Sequence, residues 1–179
     1  MGLDLTINLV RVYTLSLTGA VTSVVNNFDT NATAFGFDFD TVSDILRVIG
    51  NNGVNLRVNP GGGIIVADSP INPPSNTIIG AAYSNNFPGA GFTTLFTIDS
   101  TSDTLNTQNP PNSGTQTVVG VLGLDAGLNT GFDIQPGTSS AFAVIGNSFL
   151  NIDLAIGAAG LIGNIILPAG FTPLGLALN

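Results

Sequence analysis

The stretch Gly36-Phe37-Asp38-Phe39 decides the fold, because it recurs as a glycine followed by a short, mainly apolar strand. The three further copies are Gly80-Ala81-Ala82-Tyr83, Gly131-Phe132-Asp133-Ile134 and Gly175-Leu176-Ala177-Leu178. Successive copies start 44, 51 and 44 residues apart, and joining the C-terminus to the N-terminus gives a fourth interval of 40. A period of about 40–50 residues that holds four short strands is typical of a β-propeller blade. The repeat therefore predicts an all-β, four-bladed propeller.

The chain between successive copies alternates strands with turns. The clearest hairpin joins Ile45–Gly50 to Val54–Asn59 through Asn51-Asn52-Gly53, because Asn-Gly between apolar runs favours a tight turn. Polar and apolar residues alternate along Val12–Leu17 with the period of two that strands require. No window has the 3.6-residue apolar period of a helix. We therefore expect four antiparallel strands in each blade and a single domain over residues 1–179.

The fourth blade is predicted to be divided between the two ends of the chain. Its inner strand would be Leu174–Asn179, and its outer three strands would be Asp4–Leu9, Val12–Leu17 and Val21–Asn26. Pairing the last strand with the first three would close the ring and cover apolar faces that an open ring leaves exposed. It would also hold both ends of the chain in place.

The composition excludes several classes of function. Charged residues make up 8% of the chain, against roughly 25% in an average soluble protein. The absence of His, Cys and Lys excludes a Ser-His-Asp triad, an ordinary zinc site and a Schiff base. A net charge of −8 without a basic cluster argues against nucleic acids and anionic membrane surfaces as partners. The composition therefore points away from an enzyme and from a polyanion-binding protein.

Neither a targeting segment nor a membrane span is expected from the sequence. Met1–Leu5 carries an acidic residue where a signal peptide would carry bases, so any such peptide has been removed or never existed. The apolar stretch Leu154–Leu167 is interrupted by glycines, stopped by Pro168 and shorter than a spanning helix requires. A surface rich in Asn, Thr and Ser and lacking Lys is what we expect of an extracellular protein or one on a cell or virion surface.

The chain resembles a bacterial family known as domain of unknown function 4394. The resemblance covers roughly residues 30–165, and it rests on the stretches Ala34-Phe-Gly-Phe-Asp-Phe39, Leu46-Arg-Val48, Asn55-Leu-Arg-Val-Asn-Pro60, Ala81-Ala-Tyr-Ser-Asn-Asn86, Thr94-Leu-Phe-Thr-Ile-Asp99, Asp103-Thr-Leu105, Thr107-Gln-Asn-Pro-Pro-Asn112, Val119-Gly120 and Gly131-Phe-Asp-Ile134. It implies a propeller-like fold and an exported protein. It implies no catalytic residue, because the family has no established activity.

Carboxylates are the chemistry that the composition leaves open. Asp38 and Asp133 occupy the same repeat position on opposite blades, where the other two copies have Ala82 and Ala177. If both side chains point into the central channel, they could hold Ca²⁺ together with carbonyl oxygens and water. The alternative is that each carboxylate accepts hydrogen bonds from backbone amides at the end of its blade. No other cofactor is predicted.

The second blade differs from the others in its long loops. Asn85–Gly91 joins its first two strands and Asn109–Gly114 its last two, so both loops are expected on one face. Clustered loops on a rigid scaffold often bind ligands. The predicted interaction residues are Asn85, Asn86, Phe87, Asn109 and Asn112.

Three functions are compatible with these features. The first is a non-catalytic structural or interaction protein that forms a homo-oligomer or polymer, such as a fibre, surface layer or virion subunit, since a weakly charged surface gives little like-charge repulsion between copies. The second is a propeller that binds a glycan or another ligand through the loops of the second blade. The third is a hydrolase that uses a carboxylate pair. The first is the prediction, and the second is the main alternative.

Overall fold

A computed structural model shows that the protein is all-β. It describes residues 2–6, 9–16, 18, 21–59, 61, 65–168, 170–173 and 175–178. The described residues form four antiparallel sheets and one short 3-10 turn, Pro111–Ser113. The strands are β1 (Gly2–Thr6), β2 (Leu9–Leu15), β3 (Val21–Asp29), β4 (Phe35–Asp40), β5 (Ile45–Gly50), β6 (Asn55–Val58), β7 (Ile65–Ala67), β8 (Ile78–Tyr83), β9 (Leu95–Asp99), β10 (Thr104–Gln108), β11 (Gln116–Val121), β12 (Thr130–Ile134), β13 (Ala141–Ile145), β14 (Ser148–Ile152) and β15 (Ala159–Asn164).

Three of the sheets have the predicted four strands. Sheet A runs β4-β5-β6-β7, sheet B runs β8-β9-β10-β11 and sheet C runs β12-β13-β14-β15, each in chain order. The strands follow one another through short turns, as the Asn52-Gly53 hairpin between β5 and β6 illustrates. The prediction of four-stranded antiparallel units is therefore confirmed for these three sheets.

The inner edges of sheets A, B and C meet at the repeat glycines. Strand β4 packs against β8, and β8 packs against β12. A small cavity of about 30 Å³ is lined by Gly36, Gly80, Gly131 and Gly175, one from each copy of the repeat. A methyl group on Gly36 would lie 2.6 Å from the amide nitrogen of Ala81, so only glycine permits this approach of the two backbones.

The prediction of a closed four-bladed ring is wrong in the fourth sheet. Strands β1, β2 and β3 form a three-stranded sheet, and residues 175–178 are not assigned to a strand. Leu174 and Asn179 of the predicted closing strand, and Ile7, Asn8 and Leu17 of the predicted outer strands, lie outside the described residues. The physical reason is that a strand needs a ladder of backbone hydrogen bonds with a neighbouring strand. The described residues 175–178 instead lie against β12 through the close approach of Gly175 to Gly131 and the hydrogen bond from the Leu178 amide to the Asp133 side chain, and neither contact is a ladder bond.

The apolar core lies between the four-stranded sheets. Its largest cluster joins sheets B and C around Ile98, Phe132 and Ile134. A second cluster joins sheets A and B around Ile49 and Ile78. Apolar packing therefore holds sheets B and C against each other.

Candidate functional site

The structure brings the two predicted carboxylates to one pocket. Asp38 on β4 and Asp133 on β12 both line a pocket of about 270 Å³ between sheets A and C, which Leu176 and Ala177 also line. Both side chains are half-buried. The repeat position thus predicted which two acidic residues would lie together.

Both oxygen atoms of Asp38 accept hydrogen bonds. The backbone amide of Phe39 donates to Oδ1 over 2.7 Å, and that of Tyr83, on β8, donates to Oδ2 over 2.6 Å. The side-chain amide of Asn86 also donates to both oxygens at 3.2 Å. Asp38 therefore fastens the end of sheet B to the inner strand of sheet A.

Asp133, which occupies the position of Asp38 in another copy of the repeat, makes equivalent contacts. The Ile134 amide donates to Oδ1 over 2.8 Å, and the Leu178 amide donates to Oδ2 over 2.7 Å. Gly131 also approaches Gly175 as closely as Gly36 approaches Gly80. The four copies of the repeat therefore form two equivalent pairs. In each pair, the aspartate of the first copy accepts a hydrogen bond from a backbone amide of the second copy.

Burial dominates the electrostatics of this pocket. Loss of hydration raises the pKa of Asp38 to about 7, against the lowering effect of its amide donors, and the nearby Asp133 carboxylate raises it further. Burial also raises the pKa of Asp133, although the amides of Leu178 and Ile134 act in the opposite direction. The described residues contain no group of three or more acidic side chains that could hold a metal ion. Calcium binding by Asp38 and Asp133 stays a prediction.

The two long loops of sheet B leave it at the same end. The register places Tyr83, Leu95, Gln108 and Gln116 in one row across the sheet, and both loops follow this row. The common location expected for the loops is therefore what the structure has. Their side chains nevertheless have different environments.

The first loop spans all three four-stranded sheets. Asn85 lines a groove between sheets B and C. The side chain of the neighbouring Asn86 instead donates a hydrogen bond to Asp38 of sheet A. The Asn86 Oδ1 atom is buried without a partner among the described residues, so its amide nitrogen alone fixes this side chain. The exposed ring of Phe87 lies beside Gly137, and its backbone oxygen accepts a hydrogen bond from Thr41.

The second loop is tied into a buried polar network. Asn109 is exposed, but the Asn112 side chain accepts a 2.6 Å hydrogen bond from Nη2 of Arg47. The Arg47 guanidinium is 1% exposed, and it also donates to Asp68 at 2.7 Å and to Asn55 at 3.0 Å. These contacts join sheet A to the loop of sheet B, so Asn112 has a structural partner.

A second arginine completes this network. Arg57, a third exposed, donates to both carboxylate oxygens of Asp68. Burial would raise the pKa of Asp68, but the hydrogen bonds and charges of Arg57 and Arg47 hold it below its usual value. The hydrogen bond to Asp68 raises the pKa of Arg57. One carboxylate between two guanidinium groups therefore stays ionised.

The sequence did not predict the network of Arg47, Arg57 and Asp68, nor the sheet C side of the groove that Asn85 lines. An arginine within the apolar strand Ile45–Gly50 is a signal that a buried partner exists, but it does not say which one. Ser139, Asn151 and Asp153, which line the groove opposite Asn85, read as ordinary turn residues. Their significance depends on which sheet faces them.

These features define an all-β protein whose four-stranded sheets meet along glycine-bearing inner strands, with polar clefts between the sheets. Residues 3–177 match the family described as Domain of unknown function (DUF4394), and the chain belongs to this family. The resemblance found from the sequence is thus confirmed over nearly the whole chain. No curated protein matches it.

Proposed function

We propose that this protein is a non-catalytic structural or interaction protein whose copies associate into an extracellular or surface assembly. The contact that we propose is the outer edge of sheets B and C. We call this surface the outer-edge patch, and it consists of Val118, Val121, Ile156, Leu161 and Ile162.

The exposure of the outer-edge patch carries the proposal. Val121 on β11 is 66% exposed and Leu161 on β15 is 64% exposed. Both strands pair on one side only within the described part of the chain, and neither contains a charged residue or a proline. Soluble proteins usually protect such edges with charges, prolines or bulges. Of these devices, each strand has a single bulge-like shift of register against its inner neighbour, and it has no charge and no proline.

The two edges form one surface. Gly120 on β11 is in backbone contact with Ile156, and the amide of Ala159 donates to the backbone oxygen of Leu122 over 3.0 Å. The patch therefore continues from sheet B onto the last turn of sheet C. An apolar surface that crosses two sheets is typical of a protein contact.

The magnitude is in the range that association requires. Full burial of an exposed Val, Leu or Ile side chain is worth about 1.5–3 kcal/mol. Because the five side chains of the patch are 53–66% exposed, their burial in a contact would contribute roughly 4–9 kcal/mol, against an association cost on the order of 4–15 kcal/mol. Unpaired strand edges would add backbone hydrogen bonds between copies.

The chemistry of the chain supports a role without catalysis. The side chains that most often act as nucleophile or general base, His, Cys and Lys, do not occur in it. The oxygens of Asp38 and Asp133 already accept amide protons, which leaves this pair poorly placed for acid-base work.

The described residues include no helix with the length and apolarity needed to cross a membrane.

Sedimentation velocity over a range of protein concentrations tests the proposal. We expect concentration-dependent oligomers for the wild type and a monomer for the Val121→Asp, Leu161→Asp double variant, because a charge on each edge opposes pairing. Val42→Asp is the matched control, since Val42 is 45% exposed in the turn between β4 and β5. A monomeric wild type, or equal effects of all the substitutions, would contradict the proposal.

A further inference from the structure

A second surface is a polar groove between sheets B and C. The groove has a volume of about 520 Å³, within the range of about 300–1,000 Å³ usual for small-ligand sites. Asn85 and Phe96 line its sheet B side, and Ser139, Asn151 and Asp153 line its sheet C side. It lies apart from the pocket of Asp38 and Asp133, which is lined by other residues.

The ends of strands and the loops that adjoin them position the polar side chains of the groove. Asn85 lies two residues after the end of β8 and has a positive φ of 52°, a conformation that Asn tolerates better than most residues. Ser139 lies in the loop between β12 and β13, which is closed by hydrogen bonds between Gln135 and Ser140 and between Gln135 and Thr138. Asn151 is on β14, and Asp153 follows this strand. Two separate sheets therefore contribute to one site.

In the part of the chain that the structure describes, several polar groups in the groove have no hydrogen-bond partner. The side chains of Asn85, Ser139 and Asn151 make no hydrogen bond to any described residue. Asp153 uses Oδ1 to accept protons from the amides of Ala155 and Ile156, at 2.8 and 3.3 Å, and no described residue donates to its Oδ2 atom. The groove thus presents two amides, a hydroxyl and a carboxylate oxygen to a ligand.

We infer that the groove binds a neutral carbohydrate chain. Amide, hydroxyl and carboxylate groups together match the alternating donors and acceptors of sugar hydroxyls. No cationic residue is among the residues that line the groove, and the chain has a net charge of −8, so anionic ligands are disfavoured.

Two aromatic rings favour a sugar over a small polar solute. Phe96 is half-buried in the groove, and the exposed Phe87 ring lies beside Gly137, the residue before Thr138 of the groove lining. Aromatic faces offer apolar contact to the C–H face of a pyranose ring. Of the predicted interaction residues, Asn85 lines the groove and Phe87 lies near its rim at Gly137, whereas Asn112 is held by Arg47. It does not depend on self-association.

Calorimetric titration with neutral oligosaccharides tests this inference. The probes are cellohexaose, maltohexaose, mannohexaose and chitohexaose, with a polyuronate and a set of uncharged peptides for comparison. We expect at least one neutral hexasaccharide to bind and Asn85→Ala and Asn151→Ala each to weaken binding about tenfold, the effect of about 1.4 kcal/mol of lost hydrogen bonding.

The control variant for this experiment is Asn147→Ala. Asn147 is an exposed amide in the turn between β13 and β14, at the opposite end of sheet C from the groove. It should bind like the wild type, and thermal melts should show that all variants are folded. Ser139→Ala gives a further groove variant that removes only a hydroxyl.

Three results would overturn the inference. They are the absence of binding by all four hexasaccharides, equal weakening by Asn147→Ala and Asn151→Ala, and binding of only the polyuronate or the peptides. The Val121→Asp, Leu161→Asp variant should keep its carbohydrate affinity. This last measurement separates the groove from the outer-edge patch, so that either proposal can fail alone.

Discussion

Substitution of Gly36 by alanine tests the packing on which the whole arrangement depends. A β-carbon at Gly36 would lie 2.6 Å from both the Ala81 nitrogen and the Gly80 carbonyl carbon. Ordinary contacts at such a carbon begin near 3.4 Å. Strand β8 would therefore have to move by about 0.8 Å, since the obstructing atoms belong to the backbone and cannot rotate away.

The cost of this shift follows from overpacking. Forcing a methyl group into a filled interior costs about 1–3 kcal/mol, and more where the backbone must move. For a protein of this size, each kcal/mol lowers the melting temperature by about 2–4 °C. We therefore expect Gly36→Ala to melt roughly 2–12 °C below the wild type. The same shift would lengthen the hydrogen bond from Tyr83 to Asp38.

Two further glycines make the experiment decisive. Gly131→Ala should be as destabilising as Gly36→Ala, because its β-carbon would lie 2.5 Å from the Gly175 carbonyl carbon. Gly163→Ala on β15 is the control, since no atom lies within 4 Å of the added carbon. Circular dichroism melts at one low protein concentration avoid effects of association. If all three variants melt with the wild type, the close approach of the inner strands is refuted.

Three other perturbations address the polar groups. Arg47→Met should cost about 3–5 kcal/mol in urea unfolding, because it leaves buried acceptors unpaired; Arg57→Met should cost about 1 kcal/mol or less, because that guanidinium is partly exposed. Equal costs would contradict the buried role of Arg47. Because the pKa of Asp38 is raised in the folded protein, the stabilisation that this carboxyl group contributes is fully present below about pH 4 and is lost as the pH rises through about 7. Relative to Asp38→Asn, the free energy of unfolding should change by up to about 4 kcal/mol over this range. Urea midpoints of the two proteins that run parallel across the range would show the prediction to be wrong. If Asp38 and Asp133 serve only to accept amide protons, calcium and chelator should leave the melting temperature unchanged. A calcium-dependent rise that Asp133→Asn abolishes would instead establish the predicted cation site in the pocket of these two residues.

Local signals explain why much of the strand pattern could be predicted. The hairpin at Asn52-Gly53 lies where the dipeptide placed it, and β5 has the predicted bounds, Ile45–Gly50. The four repeat glycines indeed line one cavity. Turns and alternation are properties of a few neighbouring residues, and the equivalence of Asp38 and Asp133 follows from the same repeat.

The sequence by itself determined the strands and turns of the three four-stranded sheets and the residues that would meet at their inner edges, because these depend on contacts within a short stretch or on an internal repeat. Only the tertiary structure decided that Arg47 binds Asp68 and Asn112, which lie 21 and 65 residues away, and that Asn85 faces Asn151 across a groove. It also decided that residues 175–178 reach Asp133 without forming the predicted strand. Such contacts depend on how whole sheets pack against each other, and the packing angle is set by many side chains at once.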